Sequence, residues 1–186
     1  GLGDVYKRQI LLLASLISYS PEDPNFIFPE NTEIKNLLGA KGSYASDMLY
    51  QSIGLTALLV PISLFFVSLS VIINKKILQI IESLFFIIVY SILGSLFFTV
   101  FHTETFWLTI NGNNGFIGIL FEETFIVNLI NLNHQISYVV IIFLISLFFL
   151  LSINFKAKYF KYITIIFSKS KNISSKNIIE RSKEEI

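Results

Sequence analysis

The one cluster in this chain whose residue types suggest a reaction centre is His102, Glu104 and His134. The first two follow one long apolar run and the third precedes another, so two helix ends would have to bring them together. Two imidazoles and a carboxylate can hold zinc and leave a position open for water. Hydrolysis in an outer loop would be the corresponding activity. The same residues serve as polar groups at a membrane surface, and that reading is preferred in a chain with two histidines in all. Glu82 is the second candidate, a carboxylate inside an apolar run and so a conceivable proton or ion relay. It lies close to Lys75 and Lys76 with no second acid at comparable depth, which favours contact with headgroups or a lysine. The sequence contains no Gly-x-x-x-x-Gly-Lys-Ser/Thr phosphate loop, no H-E-x-x-H, no G-x-S-x-G and no dinucleotide fingerprint. Without cysteine there is no disulfide framework, thiolate metal site or cysteine nucleophile. The chain is therefore read as non-enzymatic, with no catalytic residue, cofactor or metal of its own.

The elements that carry these residues are membrane spans. Hydrophobic residues make up 53% of the 186, and the mean hydropathy is +0.68, outside the range of soluble domains. The expected fold is an all-α membrane protein with four transmembrane helices at about 10–19, 54–73, 77–101 and 136–153. They form two helical hairpins, each with an interfacial helix in its outer loop, at about 43–53 and 116–130. The first span is truncated, since the apolar residues before the Pro21 turn run only from Ile10 to Ile17. A signal-peptide core has similar length but would need a small-residue cleavage site, and Ser-Tyr-Ser-Pro is a poor one. Residues 1–9 resemble the translation of a sequencing-library adapter and are set apart from the membrane domain, 10–155. Ser43 is expected to cap the first interfacial helix, with Tyr44, Ala45, Met48, Leu49 and Ile53 recurring at helical spacing. Pro61 should kink the second span, with Ser63 helping to satisfy the freed carbonyl. Ser91, Gly94 and Ser95 place small residues on one face of the third, as close helix packing needs. Trp107 suits an interfacial anchor, and Asn131-Leu132-Asn133 should break the chain before the fourth span.

An internal repeat is expected on the same grounds. Gly39-x-x-Gly42, followed five residues later by Asp47, matches Gly115-x-x-Gly118 followed five later by Glu123. Charge sorting sets the topology. Lys75 and Lys76 join two spans, and Lys156, Lys158 and Lys161 open a basic, aromatic juxtamembrane segment at 156–186 that passes into a linker-like tail. The loop 102–135 has no lysine or arginine, and the first outer loop sets Lys35 and Lys41 against Glu22, Asp23, Glu30, Glu33 and Asp47. Both termini are therefore expected in the cytoplasm. The tail lysines read as a lipid-surface anchor ahead of a nucleic-acid patch.

Ser18-Tyr19-Ser20-Pro21-Glu22-Asp23-Pro24, with Asn36-Leu37-Leu38-Gly39-x-x-Gly42 and Ala45-Ser46-Asp47, resembles the first outer loop of a known membrane domain. That domain is the four-span N-terminal region of FtsK-type bacterial DNA translocases, the FtsK/SpoIIIE family. The resemblance covers roughly Leu11 to Leu151, and Asn131-Leu132-Asn133 departs from it where relatives tend to carry a phenylalanine-glycine step. It implies a membrane anchor and assembly module at the division septum, in the bacterial inner (cytoplasmic) membrane. It also implies homo-oligomers and membrane partners in the divisome, with the lipid bilayer as surroundings. DNA, ATP and Mg would be handled only by a motor domain that these residues do not include. The alternatives are a fragment of a small transporter or channel, a stand-alone membrane scaffold, and a membrane enzyme built on the histidine cluster.

Overall fold

A computed structural model describes residues 2–24, 33–74, 78–102, 108 and 112–154, without the side chains of 2–6 and 71–74. Seven α-helices and one 3-10 segment account for most of them. In order these are α1 (Leu2–Ile17), α2 (Gly39–Ile53), the 3-10 segment Gly54–Leu58, α3 (Leu59–Asn74) and α4 (Leu78–Phe101). Then come α5 (Gly115–Glu122), α6 (Phe125–Asn131) and α7 (His134–Ser152). The described residues contain no strand. Three stretches are long and apolar enough to cross a membrane, Gly39–Ser70, Leu78–Phe101 and His134–Ser152. At 16 residues, α1 extends ~24 Å, and it runs through residues 2–9, so the segment set apart in the sequence continues the helix.

Helix α4 is central. It packs on α3, α5, α6, α7 and the 3-10 segment, while α1 packs on α2 and α3. Its buried side carries Ser83, Tyr90, Ser91, Gly94, Ser95 and Thr99, so the small residues marked in the sequence do form the packed face. Gly94 has room for nothing larger, because a Cβ would stand 2.4 Å from the Thr56 hydroxyl. One apolar cluster gathers Leu16, Tyr19, Tyr50, Ala57 and Leu108 where α1 meets α2, and a second joins Leu96, Ile130 and Ile141 across α4, α6 and α7.

Several local expectations are corrected. Helix α2 starts at Gly39, after Leu38 and without a side-chain cap, so Ser43 is not its cap. The amphipathic pattern is also turned inside out. The residues of α2 that are buried are Gly42, Ser43, Ser46, Asp47 and Tyr50, while Met48 is 57% exposed. In a hydrocarbon surround the polar face gains most by turning inward, because only protein can satisfy it. The chain tightens at Gly54 into the 3-10 segment that joins α2 to α3, and Pro61 lies in the first turn of α3. The Ser63 hydroxyl pairs not with a freed carbonyl but with Tyr90 Oη and Ser152 Oγ, each at 3.0 Å. The second outer helix is two helices, α5 and α6, parted at Glu123–Thr124, where Thr124 Oγ1 donates to the Phe121 carbonyl at 2.7 Å. Asn133 then caps α7 by accepting from the Ile136 amide at 3.3 Å.

Candidate functional site

The sequence-predicted loop residues converge on one buried polar junction where α1 ends and α2 begins. Ser18 donates back to the Ala14 carbonyl at 2.8 Å and accepts from the Leu37 amide at 3.1 Å, which ties the end of α1 to the far side of the loop. Asp23, 1% exposed, accepts the amides of Lys35 and Asn36 at 2.8 and 2.9 Å. The turn leading to Asp23 is closed by the Ser20 carbonyl, which accepts the Asp23 amide at 3.2 Å. Next to it, the Ser20 hydroxyl accepts the Glu22 amide at 3.4 Å. Pro21 and Pro24 flank that turn, and the Pro24 carbonyl accepts the Ser43 hydroxyl at 2.8 Å. Glu22 pairs with Lys35 on the surface. The pairing lowers the Glu22 carboxyl and raises the Lys35 ammonium relative to their usual ranges. So exposed a pair adds little stability.

Asn36 is the hub of this junction. Its amide group donates to the Ser15 carbonyl at 2.9 Å, and more weakly to the Ser18 carbonyl and the Ser46 hydroxyl, both at 3.4 Å. Its side-chain oxygen accepts the Leu38 amide at 3.1 Å. Gly39 opens α2 in the left-handed region at φ 63°. Gly42 lets the hub sit against the helix backbone, since a Cβ there would stand 2.2 Å from the Asn36 side-chain oxygen. The Gly42 carbonyl takes hydrogen bonds from Ser15 and Ser46 at 2.8 and 2.9 Å. Asp47, 3% exposed, accepts from Tyr19 Oη at 3.2 Å and from Gln51 Nε2 at 3.4 Å. The Tyr19 phenol is the donor of that pair. Tyr50 packs its ring 4.9 Å from that of Tyr19 and donates to the Leu16 carbonyl at 2.9 Å.

A second junction repeats the plan between α4 and α5. Gly115 opens α5 at φ 66°, as Gly39 opens α2, and a Cβ on Gly118 would stand 2.3 Å from Asn114 and 2.7 Å from the Thr99 hydroxyl. Asn114 donates to Thr99 at 3.1 Å and to Glu122 at 3.3 Å. The repeat thus holds at the glycines and parts at the acids, for Asp47 is buried and its counterpart Glu123 is exposed. The two junctions meet at a backbone crossing. Leu55 donates its amide to the Asn113 carbonyl at 3.0 Å, and Ser95 donates to the Ile53 carbonyl at 3.1 Å.

Among the described residues both buried carboxylates, Asp23 and Asp47, are engaged as hydrogen-bond acceptors that clamp the loop and helices together. His102 is exposed, its ring 5.5 Å from that of Phe97, and His134 sits edge-on to Phe101 at 4.5 Å. Glu104 lies outside the described residues, among which no group of three histidines and acids is placed to hold a metal. Trp107, Lys75, Lys76, Lys156, Lys158 and Lys161 also lie outside them. Glu82 is exposed near the start of α4, whereas a relay would face the interior of the bundle. Glu82→Gln should therefore leave assembly and thermal stability in detergent within about 0.5 kcal/mol of the parent. A loss of more than ~1 kcal/mol would give the carboxylate a partner beyond those among the described residues. Sequence reasoning missed Ser15 and Tyr50 as parts of the junction. The signal was present in the Ser43–Ser46–Asp47–Tyr50 spacing, one continuous helical face of hydrogen-bonding groups.

Comparison with known proteins agrees with this architecture. Residues 8–160 match the family described as the 4TM region of DNA translocase FtsK/SpoIIIE. Among curated proteins, the DNA translocase FtsK of Rickettsia typhi is 41% identical over 56 residues, which is 30% of this chain and 8% of the relative. The DNA translocase FtsK of Rickettsia bellii is 43% identical over 53 residues, 28% of this chain and 7% of the relative. The matched segments thus span less than a tenth of those relatives' length. No solved structure matches the chain. Since the family match takes in most of the chain, with the clamped loop and all three apolar spans inside it, this protein belongs to the family of the 4TM region of FtsK/SpoIIIE DNA translocases.

Proposed function

We propose that this chain is the membrane anchor and septal assembly module of an FtsK-type DNA translocase that acts in cell division and chromosome segregation. The observation that carries the reading is the family match over residues 8–160, which coincides with a bundle whose polar groups are used in holding helices together. In this reading α1 belongs to the first of four spans, and the two clamped loops lie outside the inner membrane. Both termini are cytoplasmic. Divisome membrane proteins and further copies of the chain are its partners within the lipid bilayer. ATP, Mg and DNA belong to a motor domain joined through the tail at 156–186, and no residue described here takes part in translocation. A fluorescent fusion of residues 10–186 in dividing cells tests the reading. Collection at mid-cell supports it, and uniform membrane fluorescence in cells with normal septa counts against it.

The topology has its own test, made simple by the absence of cysteine. Single cysteines at Leu37 and Glu123, both exposed, should react with an impermeant maleimide from outside the cell. Cysteines at Asn74 and Lys171 should react only after lysis. Asn113, although in the outer loop, is 6% exposed and is a poor reporter. Any other pattern overturns the assignment of the loops to the outside.

A further inference from the structure

Helix α4 ends at Phe101, and by Asn113 the chain is again level with residues well inside that helix. The Asn113 carbonyl accepts the Leu55 amide at 3.0 Å, and a Cβ on Gly115 would stand 2.8 Å from the Ile53 amide nitrogen. The Ile53 carbonyl in turn accepts the Ser95 hydroxyl at 3.1 Å. Ser95 precedes the end of α4 by about 9 Å at the helical rise. From that level α5 climbs beside α4, because Gly118, one turn on from Gly115, stands against Thr99. Both levels fall within Leu78–Phe101, a stretch apolar enough to cross the membrane. Helix α6 returns to the same depth. The Ile130 carbonyl accepts the Ser137 hydroxyl at 3.1 Å, one turn inside α7, and the Ile130 side chain joins the cluster of Leu96 and Ile141.

We propose that α5 and α6 form a re-entrant pair immersed in the bilayer leaflet on the loop side, with the outward apolar face of both helices covered by phospholipid acyl chains. The turn that starts α5 meets one requirement of that depth. Irregular backbone persists at membrane depth only where protein buries and satisfies it. Gly112, Asn113, Asn114 and Gly115 are all buried, and the Gly112 carbonyl accepts the Gly115 amide at 3.3 Å. The outward side meets the opposite requirement. Phe116, Ile119 and Leu120 on α5, with Phe125, Ile126 and Leu129 on α6, are 38 to 75% exposed. Hydrocarbon is what surrounds such a face when the other side of the same helices packs on membrane spans. The acids fall where this geometry puts water. By Glu122 the helix has risen about 10 Å from Gly115, level with the end of α4, and both Glu122 and Glu123 are exposed there. An amphipathic helix lying flat in the interface would hold Phe116 and Leu120 at one depth. The climb beside α4 sets them about 6 Å apart. The assignment holds whichever side of the membrane the loops face, so it is independent of any septal role.

The test uses the full chain in vesicles of phosphatidylethanolamine and phosphatidylglycerol. Single cysteines carrying a nitroxide are placed at Phe116, Leu120, Phe125 and Leu129, with the exposed Glu123 as the reference for water and the exposed Val139 of α7 as the reference for a span. Collisions with dissolved oxygen report hydrocarbon, and collisions with a water-soluble nickel chelate report water. The oxygen-to-nickel ratio at the apolar positions should exceed that at Glu123 severalfold and approach that at Val139. Phe116 should read deeper than Leu120 by about 6 Å. Ratios no higher than at Glu123 place the pair in water and overturn the proposal. So does equal depth at Phe116 and Leu120, the signature of a helix flat in the interface. Loss of both kinds of collision, which is cover by a second copy or another protein, overturns it as well. If a label unfolds the protein at either α5 position, Phe116→Trp or Leu120→Trp in a chain carrying Trp107→Phe reads the same depths from quenching by lipids brominated along the acyl chain.

Discussion

Gly54→Ala is expected to destabilise the protein by roughly 3–5 kcal/mol, read as the loss of folded fraction in a denaturant or thermal series in detergent. Gly54 sits at φ 61°, ψ −149°, a region open in practice only to glycine, where any side chain adds ~1–3 kcal/mol of backbone strain. Space compounds the strain. A Cβ there would stand 2.0 Å from the Asn113 carbonyl oxygen and 2.6 Å from its carbon, the same carbonyl that receives the Leu55 amide. Backbone cannot rotate aside as a side chain can, so the two loops must separate or the break in the span must move. Gly115→Ala strikes the same crossing from the other side, with a Cβ 2.4 Å from the Gly54 amide nitrogen. Its cost should be similar, and the double variant should fall well short of additive because both disrupt one contact. Gly94→Ala, which meets only the Thr56 side chain, should cost less, about 1–3 kcal/mol. If Gly54→Ala is as stable as the parent, the backbone crossing is not how the two halves are joined.

Asp23→Ala should cost about 2–4 kcal/mol, since the carboxylate supplies two charge-assisted bonds to backbone amides. Those bonds, at 2.8 and 2.9 Å, hold Lys35 and Asn36 in place. Asn36 in turn carries the contacts among α1, the loop and α2. Asp23→Asn keeps one acceptor oxygen and should fall between the parent and alanine. Asp47→Asn should be milder than either, because Asp47 accepts from neutral side chains at 3.2 and 3.4 Å. Thermal unfolding of the purified variants in detergent measures all three. An order in which Asp47→Asn is the most damaging would move the centre of the clamp from the loop to α2.

The architecture was legible in the sequence wherever hydrophobicity alone decides it. The three long apolar stretches, the packed small-residue face of α4 and the break before α7 follow from transfer free energy and turn chemistry, which depend on local residue type. The loop motif, Gly39, Gly42 and Asp47 were also marked, because their types are unusual among apolar neighbours. Tertiary structure alone decided the direction in which α2 faces. Its periodicity is equally consistent with an apolar face inward or outward, and the choice rests on whether water or hydrocarbon surrounds it. Tertiary structure also decided the backbone at Gly54, where the crossing with Asn113 needs a conformation that glycine alone adopts freely. The convergence of Ser15, Asp23, Asn36 and Asp47 was beyond the sequence for the same reason. Hydrogen bonds between groups 12 to 28 positions apart leave no periodic trace, since they depend on where the helices bring the chain back.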